Sequence, residues 1–173
     1  DIKEHSLAYL AGLLHDYGIV LYDDFLQEIF VLMLENTYTN HTTFEESGLE
    51  LIGLTHSEFT AELFESWNLP KELSQSILHH KNFVELVNSS SMDKDTVVLS
   101  QIVGLANILA KSSNIGRSCD EFIHPVTDKL MKKLWLQKGI DPSFFSTVHQ
   151  QVALYGDFLN LPERNIPGRS YVS

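Results

Sequence analysis

The chain has 173 residues, 43% of them hydrophobic, and a formal net charge of −11. That length supports one domain with a real core, and the acidic balance argues against non-specific nucleic-acid binding or a polybasic membrane surface, both of which set Lys and Arg against phosphates. Cys119 is the only cysteine, so no intrachain disulfide is available and a reducing, cytoplasmic setting is expected. The longest apolar runs, such as Ile29 to Leu34, are far too short to span a bilayer. The first residues lack a basic region leading into a signal-like core, and Asp1 in place of an initiator Met points to a fragment.

Taken in order, Leu7, Leu10, Ala11 and Leu14 recur at the i, i+3, i+4, i+7 spacing of an amphipathic helix. The spacing puts His15 and Asp16 in its last turn, with Gly18 as the stop. Asp23 to Asn36 begins with acids suited to a helix N-terminus and is apolar on almost every face, which predicts a buried helix. Thr37 to Thr43 is polar and β-branched and reads as a connection, followed by a short helix in FEESGLELIG that ends near Gly53.

Thr55 and Glu58 form a capping-box pattern, so His56 falls in a first helical turn, with Phe59, Leu63 and Trp67 behind it as core residues. Pro70 makes WNLPKEL a tight helix-to-helix corner, after which Leu73 and Ile77 line one face and His79-His80 follow. Asn88 to Asp95 reads as an exposed loop. Val98, Ile102, Leu105, Ala106 and Leu109 form the next stripe, with Asn107 beside it. Val126, Leu130 and Leu134 mark a helix opened by Pro125, and Asp141-Pro142 caps a last one carrying Phe145, Val148, Val152, Tyr155 and Leu159. No period-two strand and no internal repeat is apparent. The expectation is an all-α domain over 1–160 with an irregular tail over 161–173.

The chemistry concentrates on histidine. An aspartate can bridge cations while neutral imidazoles fill further positions, so His15, Asp16, His56, His79 and His80 form a sensible transition-metal set if their helices converge. Neighbouring helical residues point about 100° apart, so at most one of His79 and His80 can aim squarely at a shared centre. The competing structural reading gives His15-Asp16 local hydrogen bonds at a helix end, His56 a bond to Glu50 or Glu58, and the His pair a packing role against Trp67. His5, His41, His124 and His149 fall outside the pattern. No GxSxG elbow and no phosphate-cradling glycine loop is present.

LAGLLHDYG, GLTHSEFTAELFESWNLP, SILHH and VGLANILA, in that order, resemble the HDOD family, the HD-related output domains of bacterial signalling proteins. The resemblance runs from about Leu7 to Ala110 and implies an HD-like helical bundle, usually beside receiver or other regulatory domains and preceded by a further helical segment that is missing here. It also implies a degenerate active site. The upstream first histidine of active HD phosphohydrolases has no counterpart, Ile19 stands where catalytic HD-GYP relatives carry a lysine, and Asn107 takes the position of the last aspartate.

The expectation is therefore a non-catalytic signalling module with no catalytic residues, acting on a regulatory protein partner or a fused signalling domain. It retains at most one divalent transition metal, or an anion site. The alternative is a metal-dependent phosphohydrolase acting on a nucleotide or cyclic dinucleotide.

Overall fold

The computed structural model describes residues 2–88, 92–113, 119, 120, 122, 123, 125–133, 136 and 138–158. These form α1 (Ile2–Leu14), α2 (Tyr17–Phe25), α3 (Gln27–Asn40), α4 (Phe44–Ile52), α5 (His56–Ser66), α6 (Lys71–Leu78), a 3₁₀ turn at Glu85–Asn88, α7 (Lys94–Ser112), α8 (Asp128–Lys133) and α9 (Pro142–Phe158). No strand occurs among the described residues, in agreement with the all-α expectation. None of the described helices is long and apolar enough to cross a membrane.

The chain divides into two compact units. The first takes Asp1–Asn107 with Cys119–Phe122, and the second takes Ile108–Ser118 with Ile123–Ser173. In the first, Ala11 of α1, Phe64 of α5, Leu73 and Ile77 of α6, and Leu99 and Val103 of α7 share one buried cluster. Tyr22 of α2, Met33 of α3 and Phe44 of α4 form another, with Phe59 and Cys119 packed against it. In the second unit, the Asp141 carboxylate caps α9 by accepting from the Ser143 N–H at 2.8 Å, as Asp141-Pro142 predicts. His149 is half-buried there, its Nδ1 donating to Phe145 O at 2.8 Å.

Two helix starts follow the sequence closely. Thr43 and Glu46 at α4, and Thr55 and Glu58 at α5, each form a complete capping box, and Gly53 closes α4 in the left-handed conformation at φ 71°. Asp120, buried and distant in sequence, also accepts from the Phe44 N–H at 3.2 Å, adding a carboxylate at the positive end of α4.

Elsewhere packing overrides the local reading. Gly18 does not stop a helix: α1 ends at Leu14, and α2 starts at Tyr17 with Gly18 inside it. A Cβ at Gly18 would run into the His56 carbonyl oxygen and lie 2.7 Å from Thr60 Oγ1, so the glycine is what lets α2 rest on α5. The Gly18 N–H donates to Thr60 Oγ1 at 2.8 Å, a bond that closeness allows.

The helix expected over 23–36 begins instead at Gln27 and continues to Asn40, through much of the predicted connection. Thr37 is buried in it and meets Ser47 of α4 at 2.8 Å, a contact that outweighs β-branched propensity. This helix is not buried all round, since Val31 and Leu32 are exposed. Trp67 is 54% exposed rather than core, stacked on Phe64 at the end of α5. On α7, Val98 and Ile102 are exposed while Leu99, Val103, Leu105 and Ile108 are buried, a face rotated from the expected stripe. α8 opens at Asp128 rather than at Pro125. Leu134, Leu159, the serines at 89–91 and the tail over 161–173 lie outside the described residues.

Candidate metal centre

His15 and Asp16 occupy the two-residue turn between α1 and α2. Around the Asp16 carboxylate gather its neighbour His15 and side chains from two other places in the chain. His15 Nε2 stands 3.0 Å from Asp16 Oδ2, and His56 Nε2 stands 3.1 Å from Oδ1. His80 Nε2 is 3.8 Å from Oδ1, and Lys81 Nζ is 4.0 Å from the same oxygen. His56 enters from the first turn of α5, whose start the Thr55–Glu58 box fixes. His80 enters from the bend just beyond α6. Its position there depends on Gly104, whose missing Cβ leaves room for the His80 carbonyl oxygen and the Phe83 ring.

The orientation of two imidazoles is set by main-chain carbonyls. His15 Nδ1 lies 2.8 Å from Gly12 O, and His80 Nδ1 lies 2.6 Å from Ile77 O. A carbonyl oxygen only accepts, so Nδ1 carries the proton in each ring, and in the neutral form Nε2 is left as a bare lone pair. Both Nε2 atoms face Asp16. Burial, then the Lys81 ammonium, hold His80 well below the usual histidine range against the opposing pull of Asp16, so His80 is neutral. Its Nε2 is buried without a hydrogen-bond partner.

Burial raises the Asp16 carboxyl, but bonds from His15 and His56 and the charges of Lys81 and His15 outweigh it and hold the group well below the usual carboxylate range. The ionised carboxylate and the His80 lone pair thus converge as acceptors, and His15 Nε2 stands beside them as a third ligand atom. His15, Asp16 and His80 each place a ligand atom within 4.8 Å of the others, a group that could hold a metal ion. Carbonyl bonds behind the ring are the usual means of presenting histidine to a metal, and the donor set therefore fits one.

His56 differs. It is buried between two carboxylates, with Nδ1 facing Glu45 Oε1 at 3.3 Å and Nε2 facing Asp16. Glu45 is itself held by the Ser57 hydroxyl at 2.6 Å. A neutral imidazole can donate to only one of two carboxylates, so His56 ties the position of Asp16 to that of Glu45.

Of the residues read from sequence, the structure gathers His15, Asp16, His56 and His80. His79 is the C-cap of α6, half-buried, and is not among the described residues that contact Asp16. Asn107, half-buried on α7, is not among them either. Lys81 and Glu45 were not singled out from sequence. Lys81 directly follows the His pair, and its adjacency was the available signal; Glu45 looked like an ordinary first-turn acid of α4.

Residues 1–83 match the sequence model of the HDOD domain. Over this stretch, just under half of the chain, the protein is similar to an HDOD domain. Every residue of the Asp16 cluster lies inside it, whereas the VGLANILA stretch with Asn107 lies beyond the matched segment. No curated protein and no solved structure matches the chain significantly. The HDOD match agrees with the all-helical, HD-like bundle.

Proposed function

We propose that this HDOD-like domain is a non-catalytic signalling module whose retained His-Asp centre seats one divalent transition metal. One observation carries the reading: Asp16 is the single carboxylate among the described residues at the centre, and its two oxygens already face His15 and His56. Glu45 is turned toward His56 and Ser57. Two-metal hydrolysis needs further anionic ligands to hold a second ion beside the first. A single seat lacks that charge.

His15, Asp16 and His80 would hold the ion, with His56 orienting the carboxylate. The ion would supply a fixed positive charge and a crosslink between the α1–α2 turn and the bend after α6. Occupancy of that crosslink is what a regulatory partner protein or a fused signalling domain would read from the helical surface, in a bacterial cytoplasm.

A second reading, an HD-type metal-dependent phosphohydrolase, draws support from Lys81, which puts a cation at the centre although Ile19 removes the one expected there. Turnover separates the two. Metal-loaded protein of measured metal content should hydrolyse bis(p-nitrophenyl) phosphate no faster than Asp16→Ala, and multiple turnovers that vanish in Asp16→Ala would establish the hydrolase.

A further inference from the structure

Helix α3 is apolar on two sides. Its inner side is occupied: Met33 is buried with Tyr22 and Phe44, and Ile29, Phe30 and Leu34 pack on that cluster. Its outer side carries Glu28, Val31, Leu32, Glu35 and Tyr38 at the i, i+3, i+4, i+7 and i+10 positions, which share one face of a helix. Val31 is 46% exposed, and Leu32 and Tyr38 are each 53% exposed. Phe25, the last residue of α2, is exposed as well, two residues before α3 begins. An apolar stripe at helical spacing that the core does not use is the surface onto which a second amphipathic helix packs.

The charge around the stripe decides what fits it. From Glu4 to Pro70 the chain carries twelve Asp and Glu residues and no Lys or Arg. Asp23, Asp24, Glu28 and Glu35 belong to that run and are all exposed. A second copy laid on the same face would set Glu28 and Glu35 against their own equivalents, and the phosphates of nucleic acid or of an anionic membrane would be repelled in the same way. An occupant that buries Val31, Leu32 and Tyr38 has to bring cations to the acids between them.

We propose that the outer face of α3 docks a cationic amphipathic helix of a partner protein, its apolar stripe on Val31, Leu32 and Tyr38 and its Lys or Arg residues facing Glu28 and Glu35. This rests on the partner half of the reading above and not on the ion at Asp16. The apolar contacts hold the helix, as the seam of a coiled coil does, while the flanking charges steer it and select it.

Fluorescence anisotropy tests this with the tag-free full chain and a labelled peptide of Leu and Lys whose leucines repeat at i, i+3, i+4, i+7. A scrambled peptide of the same composition, which presents no stripe, should bind at least about tenfold more weakly. Val31→Ser with Leu32→Ser, and separately Glu28→Gln with Glu35→Gln, should each weaken binding about tenfold or more. Val31→Leu with Leu32→Ile keeps the apolar surface and should retain binding, so a folding defect cannot mimic the result. Glu62→Gln with Glu72→Gln, at exposed acids of α5 and α6, should change it less than about twofold. Equal weakening by that last pair would mean attraction to net charge alone and would overturn the proposal. So would binding indifferent to both α3 pairs, or a chain that sediments as a dimer and dissociates on Val31→Ser with Leu32→Ser, because a second copy would then cover the face. Phosphodiester turnover, which would remove the non-catalytic reading, alters none of these outcomes.

Discussion

His80 Nε2 faces Asp16 Oδ1 across 3.8 Å as one acceptor facing another, because the bond from His80 Nδ1 to Ile77 O at 2.6 Å fixes the proton on the far side of the ring. Proteins rarely leave a buried imidazole lone pair and a carboxylate confronting each other with nothing between. The geometry is explained if a cation belongs there.

In the metal-free protein the same pair dictates an acid response. His80 is held neutral, with a folded pKa below its unfolded value of about 6.5. The unfolded chain therefore binds the extra proton first, so the His80 contribution to stability is complete above about pH 6.5 and is lost as the pH falls below it, at a slope of at most about 1.4 kcal/mol per pH unit. Asp16, also depressed, adds a second loss below its unfolded value of about 3.9. Urea melts in EDTA between pH 7.5 and 5 should show the first loss, and His80→Gln should flatten it.

Gly18→Ala tests the packing beneath the centre. A methyl group there meets the His56 carbonyl and Thr60 Oγ1 and pushes α2 off α5. Overpacking of this kind costs about 1–3 kcal/mol or more. The midpoint in urea should fall accordingly, and the displacement of α2 should weaken metal binding as well. A variant as stable as the unmodified protein would mean that α2 does not rest on α5 as described.

How far the sequence revealed this centre depended on whether its information was local. Capping at Thr55, the corner at Pro70 and the cap at Asp141 are decided by neighbours a few residues away, and all were readable; the box at Thr43 is as local but was passed over as part of a connection. Gly18 was misread because its partner, Thr60, is distant in sequence. Trp67 was misread because a four-residue period does not say where a helix leaves the core. Thr96, Ser100 and Gln101, all buried in α7, break up its apolar pattern, so the orientation of that helix was misjudged. Composition signalled the centre itself through His15-Asp16, His56 and the His pair, but only the bend after α6 decides between His79 and His80.

Glu45→Gln should expose the indirect part of the centre. The amide oxygen can still accept from Ser57, so the fold should be kept, while the charge that His56 Nδ1 faces is removed. Partners behind the ligands are typically worth about 10–100-fold in metal affinity. Calorimetric titration of Mn²⁺ should register a loss in that range with a thermal midpoint near that of the unmodified protein. An unchanged Mn²⁺ affinity would make Glu45 a purely structural neighbour of α5.

Thr55→Ala removes the cap that sets the first turn of α5. Loss of such a cap costs about 0.5–2 kcal/mol. Because His56 begins that turn, metal affinity should fall together with stability, whereas Thr43→Ala at α4 should cost similar stability and leave metal affinity nearer its original value.

The most direct test is metal stoichiometry by equilibrium dialysis and elemental analysis of tag-free protein. One divalent ion per chain is expected, lost in Asp16→Ala and His80→Ala and retained in His79→Ala. Two ions per chain, none, or binding indifferent to Asp16→Ala would contradict a single cation seat built on Asp16.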